Sequence, residues 1–263
     1  MRSEDGGKPT VLLFHGWSGS NSNLREWMPA LAPRFDVLVP DLPGCAGVGP
    51  LTERHTAIAY ARWALALLDA RGIERVAVGG LCSGASIALA LAQAAPDRVR
   101  ALLLHTPFVR PALIRPLVRL QLGLLGSPLG TLYTPLRRSA TLAMLHRRLF
   151  ANGAMVAAEN LARDQADLTR ADPRASRELA LDLLATDHLP FLRSWSRPLY
   201  VLLASEDAFV DAARSASVIT QAAPQARVTT FAGGHGWTAD FITRQHAAML
   251  QVSAELADAL RAP

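Results

Sequence analysis

Cysteine is scarce in this chain: Cys45 and Cys82 are the only two among 263 residues. Two cysteines cannot build a disulfide framework, and neither stands in a CxxC pair or at metal-ligand spacing from histidine. A stapled secreted mini-fold and a zinc domain are therefore excluded, and no metal site is expected. No run of about 18 uninterrupted apolar residues occurs, so no transmembrane segment is expected. Met1 to Lys8 leads into the first apolar run without the h-region of a signal peptide, from which a soluble, cytoplasmic protein is expected. Lysine is nearly missing: Lys8 is the one lysine among 27 basic residues, which stand against 22 acidic ones for a formal net charge of +5. A surplus of that size is weak evidence for a partner. Aromatic residues make up 6% of the chain, and no basic module interleaved with them accompanies the charge, so nucleic acid is not an expected ligand.

What is present is a core. Half of the chain is apolar, and a domain of this length buries roughly 70 to 75% of its extended surface. Short runs that are apolar nearly throughout recur at Thr10 to Phe14, Phe35 to Val39, Arg75 to Gly79, Val99 to Leu104, Leu199 to Leu203 and Arg227 to Phe231. Such runs suit parallel strands covered on both faces. Between them, Thr56 to Arg71 reads as a helix closed by Gly72, Gly84 to Ala95 as an Ala-rich helix stopped by Pro96, and Arg244 to Leu260 as a C-terminal helix. The expected fold is a doubly wound α/β domain with a mostly parallel six-stranded sheet, helices on both faces, and functional residues just after the strands.

One interval breaks the alternation. From Thr106 to Pro198 only helical pattern appears, interrupted by Pro107, Pro111, Pro116, Pro128 and Pro135. That is too long for a loop. Residues 106–198 are expected to form an inserted helical cap, and residues 1–105 with 199–263 the α/β core.

The most informative segment is Val76-Ala-Val-Gly-Gly-Leu-Cys-Ser-Gly-Ala-Ser86. It has the form strand, Gly80-x-Cys82-x-Gly84, helix, which is the nucleophile-elbow pattern with cysteine at the tip. The strained turn brings neighbouring backbones together, so the positions two before and two after the tip must be small. Centring the turn on Ser83 instead would put Leu81 at a crowded position. Cys82 is therefore the candidate nucleophile, against the alternative of a small buried hydrophobe. Further along, Asp207 follows one strand and His235 follows another. The chain order nucleophile, acid, histidine is that of a hydrolase triad.

With these residues the sequence resembles an α/β-hydrolase over nearly its whole length outside the cap. His15-Gly16-Trp17 is similar to the family's oxyanion segment, Asp41-Leu-Pro-Gly44 to its D-x-x-G loop, and Glu206-Asp207 to Val210 to its acid-bearing loop. The chain departs from the family at Cys82 and at Cys45, where many relatives have serine and histidine. The resemblance implies that Cys82 attacks a carbonyl, that His235 takes and returns the proton, and that Asp207 orients His235. It also implies that the backbone N–H groups of Trp17 and Ser83 hold the oxyanion, each such donor being worth on the order of a hundredfold in rate. A free thiol is only a few per cent thiolate at neutral pH, and a helix N-terminus with an adjacent imidazole raises that fraction. Asp211 is the reserve acid. His15 is expected to orient the oxyanion loop or border the substrate. His55, His105, His146, His188 and His246 are expected at the surface or on helices, and Cys45 as packing.

The cap adds a charge pattern. Arg110, Arg115, Arg119, Arg137, Arg138, Arg147 and Arg148 fall between Thr106 and Phe150 with no Asp or Glu, so the +5 of the whole chain leaves −2 elsewhere. After Pro116, Leu117, Leu120 and Leu124 lie within about 60° of one another on a helix, with Arg119 opposite. They and Trp237 are the expected substrate-binding residues of an acyl slot, and the arginines the expected contact for an acyl group borne on a carrier protein or coenzyme A, or for an anionic membrane surface. The expected activity is cleavage of an ester or thioester through an acyl-Cys82 intermediate, without a cofactor. Two alternatives stand beside it: acyl transfer to an amine, thiol or alcohol, and a non-catalytic binding member of the fold. Cys-elbow members of the family, the dienelactone hydrolases and polyhydroxyalkanoate synthases, provide for both hydrolysis and transfer.

Overall fold

The apolar runs fold as strands because each is covered on both sides. In the computed structural model, which describes residues 7–130, 139, 141, 158–235 and 239–261, six strands form one sheet: β1 (Thr10–Phe14), β2 (Asp36–Leu38), β3 (Val76–Leu81), β4 (Val99–His105), β5 (Leu199–Ala204) and β6 (Arg227–Phe231). The order is β2-β1-β3-β4-β5-β6, and every pairing is parallel. Central β3 and β5 are buried at every residue, whereas the edge strands β2 and β6 are mostly half-exposed. This gradient explains why Arg227-Val-Thr-Thr-Phe231 could carry polar side chains and still be a strand.

Helices α1 (Met28–Leu31), α2 (Ala57–Ala70) and α3 (Ser83–Ala94) accompany the first half of the sheet. Thr56 caps α2 by accepting the Ala59 N–H, and Gly72 leaves it at a positive φ of 64°. Ser83 to Ala92 of α3 are all buried, which is why that helix is built of alanine and other small residues. Strand order reverses between β1 and β3, so the carboxyl ends of these two strands flank the crevice where open α/β sheets bind ligands. His15-Gly16 follows β1 there, and Cys82 follows β3.

Between β4 and β5 run α4 (Pro116–Gly126), α5 (Ala158–Arg170), α6 (Pro173–Ala185) and α7 (Leu189–Ser194), with no sheet strand among the described residues. The chain closes with α8 (Ala212–Ala222) before β6 and α9 (Ala239–Arg261) after it. Helix α6 is fastened to the sheet domain. His55 Nδ1 and its backbone N–H both meet Glu178 Oε2 at 2.8 Å, and the Ala57 N–H donates to Asp182 Oδ2 at 2.8 Å. Burial alone would raise the Glu178 carboxyl, but His55 and Arg174 outweigh it and bring it down to about 2.

The apolar face expected on α4 is a correction. Leu117, Leu120 and Leu124 are 52%, 60% and 50% exposed, and the helix buries Val118, Leu122 and Gly126 instead. The glycines explain the choice: a Cβ on Gly126 would run into Leu181 of α6, and one on Gly123 would lie 3.9 Å from Leu184. The two helices approach along the small residues, and the leucine stripe points outward. Arg137, Arg138, Arg147, Arg148, His146 and Trp237 lie outside the described residues. No helix among the described residues is long and apolar enough to cross a membrane.

Candidate active site

Strand β3 delivers Cys82 to the carboxyl end of the sheet at φ 58° and ψ −116°, a conformation rarely adopted by a residue with a side chain, and α3 starts at the next residue. Holding such a residue costs on the order of 1–3 kcal/mol, supplied by its surroundings. The Cys82 N–H donates to the His105 carbonyl at 2.9 Å, pinning the turn to β4. A Cβ on Gly80 would meet the backbone of Gly84, and one on Gly84 would meet the Phe14 and His15 carbonyl oxygens. Only glycine fits either position. Gly84→Ala is expected to lower the unfolding free energy by about 2–3 kcal/mol in a denaturant titration, because backbone rather than a flexible side chain must yield. An unchanged midpoint would mean that the turn is looser than described.

The acid loop follows β5. Asp207 is fully buried; its Oδ1 accepts the N–H groups of Phe209 at 2.6 Å and Val210 at 3.0 Å, and its Oδ2 accepts His235 Nδ1 at 2.7 Å. Burial alone would raise this carboxyl, yet the His235 charge and these hydrogen bonds hold it below the usual carboxylate range. His235 follows β6 and lies against Phe209, ring centroids 4.2 Å apart. Cys82 lies near enough to the ring to act on its charge. Burial would lower the His235 pKa, but Asp207 and Cys82 together raise it to about 10. The imidazolium pair stabilises the fold fully below the ordinary histidine range near 6.5, and that contribution is lost as pH rises through about 10.

The other expected residues separate clearly. Ser83 is fully buried and its Oγ has no hydrogen-bond partner. Its backbone N–H opens α3, where amides lack intrahelical acceptors. Gly16, just before Trp17, sits beside the elbow: a Cβ built there would lie 3.8 Å from Cys82 Cβ. His15 is wholly buried, its Nδ1 donating to the Gly16 carbonyl at 2.9 Å and its Nε2 accepting the Leu42 N–H at 3.0 Å. Both ring nitrogens are engaged, so His15 braces the loop and offers nothing to a substrate. Burial keeps its pKa low and the ring neutral. Asp211 caps α8 by accepting the Arg214 N–H at 3.0 Å. Cys45 is buried, which pushes its thiol up to about 12.

Three histidines expected at the surface or on helices are instead buried: His55, His105 and His188. His105 ends β4, meets Gln245 of α9 at 3.1 Å and lies against Trp27 and Phe231. Burial brings it down to about 3, with the His235 charge acting in the same direction, so it stays neutral behind the site. Arg115 is a residue that its place in a basic run concealed. Its Nε donates to the Asp207 carbonyl at 2.8 Å, while Ile114 pairs with Val210 as an isolated bridge. The start of the β4–β5 segment thereby clamps the acid loop.

Comparison with known proteins agrees with this fold. A family model described as alpha/beta hydrolase fold matches residues 9–237. A protein provisionally named a carbamate hydrolase, RutD of Caulobacter sp. strain K31, is 36% identical over 105 residues, which are 40% of this chain and 39% of that protein. The dihydrolipoyllysine-residue acetyltransferase component of the acetoin cleaving system of Cupriavidus necator is 34% identical over 102 residues, 39% of this chain and 27% of its own length. The chain thus spans well under half of the curated relatives it matches. The structure of a thermophilic esterase from Thermogutta terrifontis aligns over 97% of this chain and 91% of that one with a TM-score of 0.72 at 20% identity, a likeness of fold.

Proposed function

The chain belongs to the α/β hydrolase fold family, and from that premise we propose that it cleaves an ester or thioester through an acyl enzyme on Cys82. The observation that carries this reading is Cys82 on its positive-φ turn at the end of β3, together with a His235 that is held 2.7 Å from buried Asp207. The sulfur of Cys82 attacks the acyl carbon, the C–S bond forms, and the carbonyl electrons move to an oxygen held by the Trp17 and Ser83 N–H groups. On collapse, the protonated His235 gives its proton to the departing alkoxide or thiolate. In the second half, His235 takes a proton from water as the water attacks and returns it to sulfur as the acid leaves; that proton passes back to His235 when Cys82 attacks the next acyl carbon. An amine, thiol or alcohol in place of water would give acyl transfer. Of the seven arginines expected to meet a carrier, Arg110 pairs with Asp187 and Arg115 holds the acid loop. Recognition of a carrier or of coenzyme A would fall to the other five.

The His235 pKa bears on the proton that the leaving group must receive. A protonated imidazole is the form that can give a proton to the leaving group. The expected kcat/KM profile therefore falls as pH rises through about 10, where His235 loses the proton it gives to the leaving group. Initial rates with a p-nitrophenyl ester in overlapping buffers measure it. A single rising limb centred near the ordinary histidine value of about 6.5 would show a neutral base at work and contradict a proton held on His235 through neutral pH.

A further inference from the structure

The acid loop is held from outside by the first residues of the β4–β5 segment, and this contact bears on the chemistry as well as on the fold. Leu113 to Arg115 run antiparallel to Phe209 to Asp211. The Arg115 N–H donates to the Phe209 carbonyl at 2.9 Å, the Asp211 N–H donates to the Leu113 carbonyl at 3.0 Å, and Ile114 pairs with Val210 between them. The Arg115 side chain then turns onto the loop, and its Nε donates to the Asp207 carbonyl at 2.8 Å. Asp207 is thus held at both ends: its carbonyl meets the guanidinium, and its carboxylate meets His235 at 2.7 Å. Phe209 is held in the same way. Its N–H donates to Asp207 Oδ1 at 2.6 Å, its carbonyl accepts from Arg115, and its ring centroid lies 4.2 Å from that of the imidazole.

Rotation of a peptide plane carries the side chain on its Cα with it, so the direction of the Asp207 carboxylate depends on what fixes its carbonyl. A hydrogen bond from an ionised donor is roughly twice as strong as a neutral one, and Arg115 supplies it from the residue at which α4 begins. We propose that Arg115 is a positioning residue of the active site: through the Asp207 and Phe209 backbones it sets the carboxylate and the ring that hold His235. The inserted segment and the catalytic acid then share one anchor. The inference takes its effect on rate from the acyl-enzyme reading, but the contacts stand without it.

The test compares Arg115→Met, which keeps the stem and removes the donor, with Arg115→Lys, which keeps a charged donor. With a p-nitrophenyl ester, Arg115→Met is expected to lower kcat by about tenfold with KM nearly unchanged, the scale of one charge-assisted hydrogen bond, and Arg115→Lys to recover part of the loss. Arg115→Gln, with a weaker neutral donor, is expected to fall between them and carries the comparison if Arg115→Met does not fold. The pH profile separates positioning from charge. His235 faces Asp207, Cys82 and Phe209, with neutral His105 behind it. Removing a nearby cation would by itself raise the histidine pKa, whereas a displaced Asp207 raises it less. The falling limb at about 10 is therefore expected to move to lower pH in Arg115→Met and to stay close to its place in Arg115→Lys. A limb in Arg115→Met that moves up or stays, or an unchanged kcat, overturns the proposal even where the unfolding midpoint falls. Proton NMR of the Cys82→Ala protein reads the contact without turnover. The His235 Nδ1–H resonance, assigned by its loss in His235→Gln, is expected to broaden when Arg115→Met is added and to sharpen again with Arg115→Lys; equal signals overturn the proposal. If Arg115→Met broadens the signal while Cys82→Ala still turns over the ester, the positioning role stands and the acyl-Cys82 reading falls. If Cys82→Ala is inactive and the Arg115 variants match the wild type, the proposed function stands and the positioning role falls.

Discussion

Cys82→Ala is expected to lower turnover of an activated acyl ester or thioester by about six orders of magnitude, the scale on which removal of a triad nucleophile acts in hydrolases. The expectation follows from the turn: the side chain at φ 58° is the one presented at the tip of the elbow, and the neighbouring Ser83 hydroxyl is buried without a partner. Ser83 cannot inherit the role by a rotamer change, because its position one residue into α3 directs it into the packed interior. Ser83→Ala is therefore expected to leave turnover within about tenfold of the wild type. Steady-state and single-turnover rates for both variants measure this. Normal turnover by Cys82→Ala with loss in Ser83→Ala would reverse the assignment.

The second large effect belongs to His235. His235→Ala removes both the partner of the sulfur and the proton donor to the leaving group, so acylation should fall by nearly as much as in Cys82→Ala. Asp207→Asn should cost one to two orders of magnitude less, about 10⁴-fold, because the acid holds the imidazole in the working tautomer and charge state without touching the substrate. Its amide would still find the Phe209 and Val210 N–H groups beside one oxygen, while losing the charge that raises His235. Asp211→Asn separates the two acids: asparagine caps a helix as well as aspartate does, so rates near the wild type are expected. A damaging Asp211→Asn with a mild Asp207→Asn would move the acid.

Local features of this site were legible in the sequence. Gly80 and Gly84 fix the elbow by steric necessity, which two positions read together reveal without any structure. The six strands were visible as apolar runs, and their ends lie within two residues of those observed. Contacts between distant segments were not legible. Arg115 reaches Asp207 across 92 residues, His55 reaches Glu178 across 123, and Gln245 reaches His105 across 140. Nothing at either end of such a pair signals the other, and a basic run hides an arginine whose role is structural. The leucine stripe of α4 misled for a different reason. Periodicity marks an apolar face, but Gly123 and Gly126 let a neighbouring helix approach more closely on the other side, and that contact set the orientation.

The central claim is that a sulfur, not a hydroxyl, carries the acyl group. Intact-protein mass spectrometry after rapid mixing with a panel of acyl thioesters, followed by peptide mapping, tests it most directly. The account predicts one acyl mass per chain, on the peptide containing Cys82, released by neutral hydroxylamine and absent from Cys82→Ala. An acyl group found on Ser83, or turnover with no adduct sensitive to Cys82→Ala, would contradict it.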